Sequence, residues 1–225
     1  MTHKKAQHDS LNMEQKLNAS EAFITQYKKP ILAACVAVVV LVGGYFAYRH
    51  FISIPRQQKA NEMIFKGEQY FAADEYEKVL NGDGQGFAGM IQVAKEYGST
   101  PAGNLAKLYA GLSLAQTGKY EEALTYLKDY DDCGDAMVSA AAIAALGNCH
   151  AQLGHTQEGI DYLLKAAKRA SSNSLSPLYL LQAGELYESL GQKDKALECY
   201  NNIKRNYANS MVYTEIDKYI ARVSE

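Results

Sequence analysis

The chain has 225 residues, a formal net charge of −2 at pH 7 and a hydrophobic share of 48%. From residue 55 onward it carries 17 Lys and Arg against 22 Asp and Glu, so it lacks the basic surface that nucleic-acid binding requires. The 171 residues from 55 to 225 are enough for one domain with a core or for a short array of repeats.

The first predicted element is a membrane-spanning helix. An uncharged apolar run of 18 residues extends from Ile31 to Tyr48, and it corresponds to about 27 Å of helix, close to the hydrocarbon thickness of a bilayer. The Leu-Ala-Ala-Cys pattern that precedes lipid attachment in bacterial lipoproteins ends at Cys35, but at the start of this run. Processing there would leave most of the run on the mature protein. We therefore predict an uncleaved anchor over residues 30–52, preceded by a partly disordered tail over residues 1–29.

The charges that flank the predicted anchor do not determine its orientation. Near the apolar run, three positive residues lie on its N-terminal side and four on its C-terminal side: Lys16, Lys28 and Lys29, then Arg49, Arg56, Lys59 and Lys66. Long domains also cross membranes largely regardless of charge. The expected orientation, with the N-terminus in the cytoplasm, therefore depends on the family resemblance described below.

The segment that follows the anchor, residues 55–98, predicts a degenerate pair of helices. The first is expected over about 56–80 and the second over about 87–97, because apolar residues recur there with helical spacing. Pro55 permits a kink between the anchor and the first of these helices.

Three glycine pairs with identical internal spacing indicate a repeat in the rest of the chain. The two glycines of each pair are seven residues apart, and the pairs recur after 36 and then 37 residues. The pairs are Gly111 with Gly118, Gly147 with Gly154, and Gly184 with Gly191. Apolar residues on both sides of each second glycine have helical spacing. Residues 99–208 therefore predict three helix–turn–helix units.

The two glycines of each pair have different predicted roles. The second falls in a turn, where the left-handed conformation that ends many helices favours glycine. The first falls inside a helix, where glycine costs about 1 kcal/mol relative to alanine, so it indicates a close contact with another helix. Twelve residues after the first glycine lie the small residues expected to pack against it: Ala123, Gly159 and Ala196.

These units resemble the tetratricopeptide repeat, whose pattern has a Leu-Gly pair and an aromatic residue, then Gly-x-Tyr, Ala, an aromatic residue and a closing proline. The matching residues of the first unit are Gly111, Leu114, Gly118, Tyr120, Ala123 and Leu127. Those of the third unit are Gly184, Tyr187, Gly191, Ala196 and Tyr200. The second unit departs from the pattern with His150 at an aromatic position and Gly159 where alanine is usual, and all three units lack the proline. The resemblance implies an all-α solenoid, preceded here by a single transmembrane helix, that mediates protein interactions.

A final helix, over residues 209–225, is expected to cap the array. Its apolar side chains would share one face, at Val212, Ile216, Tyr219, Ile220 and Val223.

No residue pattern indicates catalysis or a bound cofactor. His150 and His155 are interpreted as a packed and a solvated side chain, and the glycine-rich loop 81–86 is not followed by the bidentate Glu of a calcium site. We predict no catalytic residue, no cofactor, no metal site and no small-molecule substrate. Cys149 and Cys199 are interpreted as buried apolar residues, and one bridge between them stays open.

In tetratricopeptide arrays the first helix of each unit lines the concave groove, and the resemblance places ten residues of this chain there. They are Leu105, Leu108, Leu112, Ala141, Ala144, Asn148, Leu178, Leu181, Glu185 and Glu188. Some family members bind a partner's C-terminal carboxylate through Lys, Arg and Asn at such positions, which Leu108 and Leu112 do not supply. An apolar groove with an acidic end suits an amphipathic helix or an extended hydrophobic segment. Alternatively, the same leucines pack on the preceding helix pair.

The layout of a short tail, one anchor and a small repeat domain resembles the YfgM-type family of ancillary subunits of the SecYEG translocon. This resemblance implies a bacterial inner-membrane protein with its repeat domain in the periplasm. Its partners would be the Sec translocon, periplasmic chaperones or the proteins that leave the translocon. The alternative is a scaffold for another envelope complex, such as outer-membrane protein assembly, cytochrome c maturation or cell division.

Overall fold

The computed structural model describes residues 27–224, so the predicted tail over residues 1–29 lies almost entirely outside the described residues. The chain separates into two compact units between Pro55 and Arg56. All regular secondary structure in the described range is helical.

The first unit contains an exposed apolar helix, α1, over residues 27–48, followed by a π-helical segment at Arg49–Ser53. The most apolar 18-residue stretch has a mean hydropathy of 2.3, and none of it is buried. In length and composition the helix is compatible with a single membrane span. The π-helical segment lies just before Pro55, which has no N–H to donate, and π turns are a usual way for helices to absorb such an interruption.

The remaining helices form the repeat array. They are α2 (Ile54–Ala72), α3 (Tyr76–Asn81), α4 (Met90–Tyr97), α5 (Pro101–Gln116), α6 (Tyr120–Asp129), α7 (Ala136–Gln152), α8 (Thr156–Ala170), α9 (Ser176–Ser189), α10 (Lys193–Asn206) and α11 (Ile216–Ser224). A 3₁₀ turn, Met211–Glu215, precedes α11. The predicted helix–turn–helix units are α5 with α6, α7 with α8, and α9 with α10, so the predicted solenoid fold is confirmed.

The turn glycines of the three units end their helices in the left-handed conformation. Gly118, Gly154 and Gly191 have φ angles of +77°, +82° and +70°. After the first of them, the Lys119 N–H donates to the Leu114 carbonyl at 2.9 Å, and the other two turns repeat this bond. Such bonds satisfy carbonyls that a helix end leaves without partners.

The segment 55–98 differs from its prediction, because α2 ends at Ala72 and a separate helix begins at Tyr76. Asp74 takes the left-handed conformation between them, with φ +57°. Gly67 and Asp74 are seven residues apart, as are the two glycines of each later pair. The helices α2 and α3 therefore begin a fourth unit, in which Asp74 occupies the place of the turn glycine.

An insertion disguises this fourth unit in the sequence. Gly67 precedes Gly111 by 44 residues, which is eight more than the 36 residues from Gly111 to Gly147. The loop 82–89 between α3 and α4 is eight residues long, so it accounts for the difference. The Asp83 carboxylate accepts hydrogen bonds from the Gln85 and Phe87 N–H groups at 2.7 and 3.0 Å. The loop is thus closed by its own side chain, as expected of a plain turn.

The hydrophobic core consists of two clusters that share α7. One cluster runs from α2 to α7 and includes Ala142 and Cys149, while the other runs from α7 to α11 and includes Ala140 and Ala144. Each hairpin therefore packs mainly on its neighbours, which is how solenoids build a continuous core.

The C-terminal helix covers the open end of the second cluster. Ile216 and Val223 are buried, and the other members of the predicted apolar face pack against the same cluster. The predicted capping helix is shorter than 209–225, because its first turn is the 3₁₀ segment.

The helices α7 and α8 approach each other through a pair of glycines. A Cβ added to Gly147 would lie 2.8 Å from the Gly159 carbonyl oxygen, and a Cβ added to Gly159 would lie 2.8 Å from the Gly147 oxygen. Neither helix could carry a side chain there without moving, so the two backbones are in direct contact.

In the units on either side, larger side chains lie against the interior glycine. The nearest atoms to a Cβ added at Gly111 belong to Leu127, and those at Gly184 belong to the ring of Tyr200. The prediction that Ala196 would be the residue meeting Gly184 is thus corrected. Tyr200 follows Ala196 by four residues, about one helical turn of α10, and it is the Tyr200 ring that lies against Gly184.

Candidate partner-binding groove

A cavity of about 430 Å³ lies between α5, α7 and α9, the first helices of three successive units. These helices line one side of the array because each hairpin stacks on the next in the same orientation. The cavity therefore corresponds to the concave groove expected of such a solenoid.

Three of the ten predicted groove residues line this cavity: Leu112, Asn148 and Glu185. They occupy the same position in successive units, since they are separated by 36 and 37 residues. The periodicity of the sequence therefore corresponds to one row of side chains along this cavity.

Most of the other predicted residues lie elsewhere. Leu108 and Ala144 are in the hydrophobic core, with exposed fractions of 4% and 3%. Leu105 and Leu181 are partly buried against the core clusters, so these four side chains pack in or against the core and do not line the cavity. Ala141, which is half-buried, and Leu178, which is exposed, are both outside the cavity.

Glu188, predicted at the acidic end of the groove, is held by the C-terminal helix instead. Arg222 donates to both of its carboxylate oxygens, with Nε to Oε2 at 2.8 Å and a terminal nitrogen to Oε1 at 2.7 Å, and the Tyr200 hydroxyl also donates to it. Burial raises the pKa of Glu188, but the hydrogen bonds and the charge of Arg222 outweigh it, so the net pKa is lowered. The negative charge that faces the cavity is therefore that of Glu185.

Amide side chains, which the sequence analysis did not single out, line much of the cavity. Gln116, Gln152 and Gln182 lie there beside Asn148. The side-chain amide oxygen of Gln182, Oε1, is buried and has no hydrogen-bond partner among the described residues. Gln116 and Gln152 are 36 residues apart, so the repeat period itself could have revealed them.

Cys149 forms part of the cavity wall as a free thiol. Burial raises its pKa to about 11, and burial and the charge of Glu198 raise the pKa of Cys199 to about 11 as well. Both thiols are therefore protonated and weakly nucleophilic at neutral pH. They lie in different core clusters, and the bridge that the sequence left open is not formed.

The chemistry of the groove suits main-chain recognition. Each amide side chain has both hydrogen-bond donors and an acceptor, whereas apolar side chains such as Leu112 and Leu186 contribute contact area. An extended polypeptide carries unpaired N–H and C=O groups, but the main chain of a helix is already hydrogen-bonded. The combination therefore favours an extended segment over the amphipathic helix.

Stacked helical hairpins around a concave groove define this protein as a helical-repeat solenoid, a fold typical of non-catalytic scaffolds for protein binding. The sequence matches the tetratricopeptide repeat-like domain family over residues 21–217. The chain belongs to that family.

A solved structure supports the same fold. A crystal structure of MamA protein has a TM-score of 0.52 at 17% sequence identity, covering 73% of this chain and 86% of that chain. A second crystal structure of MamA has a TM-score of 0.47 at 21% identity, covering 70% of this chain and 92% of that chain. No curated protein matches the sequence.

Proposed function

We propose that this protein is a membrane-anchored adaptor that binds extended segments of protein partners in the groove formed by α5, α7 and α9. The observation that carries the proposal is the row of amide side chains in that groove, in a family built for protein binding. Leu112, Asn148 and Glu185 would contact the partner directly.

The anchor in this proposal is α1, whose apolar side chains are exposed. In water, such a surface would associate or aggregate, whereas in a bilayer it is matched by the lipid chains. The family match begins at residue 21, ahead of α1, and continues through the repeats, which supports treating the apolar helix as a regular part of the protein.

We further propose that the repeat domain lies on the outer side of a bacterial inner membrane, with the N-terminus in the cytoplasm. There it would act on proteins that emerge from the Sec translocon, together with periplasmic chaperones. This part rests on the architectural resemblance to the YfgM-type family. The groove chemistry agrees with it, because newly translocated chains are extended and have unpaired main-chain groups.

Photocrosslinking in intact membranes tests the binding function. A photoreactive residue replaces Asn148 in the groove, and the matched control carries it at Lys165, an exposed position on α8. We expect crosslinks to exported proteins or their chaperones from position 148 and few from position 165. Equal yields from both positions would show that the groove is not the binding site, and capture of cytoplasmic proteins alone would contradict a role in export.

The location of the domain can be tested with its native cysteines. Cys133 is exposed, whereas Cys149 and Cys199 are buried, so a membrane-impermeant maleimide should modify the repeat domain only at Cys133. Labelling of Cys133 from outside intact spheroplasts supports the outer location. Labelling only after the membrane is broken would place the domain in the cytoplasm.

A further inference from the structure

The turn of the second repeat unit brings together two histidines and a glutamate. His150 lies in the last turn of α7, His155 immediately precedes α8, and Glu158 lies in the first turn of α8. One potential ligand atom from each side chain lies within 4.8 Å of the others. Imidazole nitrogens and carboxylate oxygens are the protein ligands that zinc shares with several other transition metals.

The fold itself produces this arrangement. The contact between Gly147 and Gly159 brings α7 and α8 together one turn or less from His150 and Glu158. In the turn, the His155 N–H donates to the His150 carbonyl at 2.9 Å, which fixes the two histidines relative to each other. The main chain thus holds all three residues at one corner.

The ring nitrogens of His150 make no hydrogen bond with any of the described residues. Its ring stacks on Tyr162 with the centroids 5.3 Å apart and the planes 13° from parallel. Both ring nitrogens are shielded from solvent, and neither has a hydrogen-bond partner among the described residues. A buried polar atom without a partner is costly, and a metal ion bound by one nitrogen would remove part of that cost.

The other repeat units lack this set of side chains. The equivalent positions are Leu114, Lys119 and Glu122 in the first unit and Tyr187, Gln192 and Lys195 in the third. The histidine at the first of these positions is also one of the two residues at which the second unit departs from the tetratricopeptide pattern. The repeat fold therefore does not require these three side chains, and they occur together only in the second of the three units compared.

We propose that His150, His155 and Glu158 form a binding site for a divalent transition-metal ion, with zinc as the best match. Ligands of a tetrahedral zinc ion are about 3.4 Å apart, given metal–ligand bonds of about 2.1 Å, so ligand atoms that lie within 4.8 Å of one another must approach by at most about 1.4 Å. The side chains of His155 and Glu158 are exposed, so a change of rotamer can bring their ligand atoms closer to His150. Three protein ligands leave a fourth position for water or for a side chain of a bound partner.

Zinc titration of the full-length chain in lipid nanodiscs tests this site. We expect one zinc ion per chain at micromolar or lower free zinc, measured by equilibrium dialysis with elemental analysis. His155→Gln and Glu158→Gln should each weaken binding at least about 10-fold, since even the loss of an outer partner of a metal ligand has effects of that size. The matched control is His50→Gln, which removes a histidine from the other compact unit and should leave the affinity unchanged.

A second measurement reports where the ion binds. Zinc should slow amide hydrogen exchange in the turn 153–156 of the wild-type chain, because it joins the end of α7 to the start of α8, and it should have no such effect in His155→Gln. His150→Leu introduces the residue found at the equivalent position of the first unit and should also abolish the effect. If His150→Leu does not fold, the exposed His155→Gln variant decides the outcome. Absence of tight zinc binding, or equal zinc affinity and protection in wild type and His155→Gln, would overturn the proposal.

Discussion

Replacing Gly147 with alanine tests the direct contact between α7 and α8. The added Cβ would lie 2.8 Å from the Gly159 carbonyl oxygen, whereas ordinary van der Waals contacts begin at 3.4 Å. The opposing atom belongs to the main chain and cannot rotate away, so the helices must separate by about 0.6 Å, and such overpacking costs about 2–3 kcal/mol. Alanine returns about 1 kcal/mol through its higher helix propensity. We expect a net loss of about 1–2 kcal/mol in the free energy of unfolding.

Thermal and urea unfolding of the full chain, followed by circular dichroism, measure this loss. For a unit of this size, it corresponds to a decrease in Tm of about 2–8 °C. Asn148→Ala is the matched control, because the neighbouring side chain is exposed and the change affects helix propensity without adding a contact. It should stabilise the chain by a few tenths of a kcal/mol. If Gly147→Ala is as stable as Asn148→Ala, the two backbones are not in contact and the reasoning fails.

Three further predictions concern other parts of the repeat array. Arg222→Ala should lower the free energy of unfolding by about 1–2 kcal/mol at pH 7, because it leaves Glu188 without its ion pair, which is partly exposed to solvent. The lowered pKa of Glu188 stabilises the folded state fully above the ordinary glutamate pKa of about 4.3, and this contribution is lost as the pH falls through the folded-state value. Urea unfolding between pH 3 and 7 should therefore show the variant and the wild type converging in acid, and a constant difference would contradict this. Asp74→Gly should raise the free energy of unfolding by about 0.5–1 kcal/mol, because glycine adopts a positive φ without strain; an unchanged or lower Tm would count against it. At pH 7.5 a maleimide should modify Cys133 within minutes and Cys149 only after unfolding in urea, and mass spectrometry that finds both modified in the native state would show that Cys149 is not buried.

The repeat period was predictable because it is a local property of the chain. Glycine pairs seven residues apart specify where one helix ends and the next begins, and they required no knowledge of distant contacts. The same rule did not locate the turn of the fourth unit, α2 with α3, because Asp74 replaces the turn glycine and the loop 82–89 displaces the following helix. Asp is among the few residues that tolerate a positive φ, so the helix–turn–helix fold is kept at Asp74 although the turn glycine that marks it in the other units is absent from the sequence.

The groove was predicted only in part, for a reason that concerns the helix surface. Residues three or four positions apart lie on the same face of a helix, so helical spacing alone did not distinguish Leu108, in the core, from Leu112, in the cavity wall. The division between these two environments depends on how far α6 and α7 cover α5. The extent of this coverage depends on how the helices pack, and the spacing of apolar residues within one helix does not specify it.

Glu188 illustrates the same limit for charged side chains. Its repeat position suggested the groove, but Arg222, 34 residues further along, reaches it from the C-terminal helix. His150, His155 and Glu158 are close in the sequence, yet their spacing matches no simple metal motif, because a helix end, a turn and a helix start intervene. Only the contact between the two helices makes them neighbours.

The sequence by itself determined that the chain carries one apolar segment long enough to span a bilayer and an array of helical hairpins. Both follow from local periodicity, hydropathy and the conformational demands of turns. The tertiary structure decided which face of each helix is buried, which side chains line the groove, and which ionisable groups meet at the second turn. Those outcomes depend on the distance between helices, which is set by the close contact of Gly147 with Gly159 and by the large side chains of Leu127 and Tyr200 in the neighbouring units.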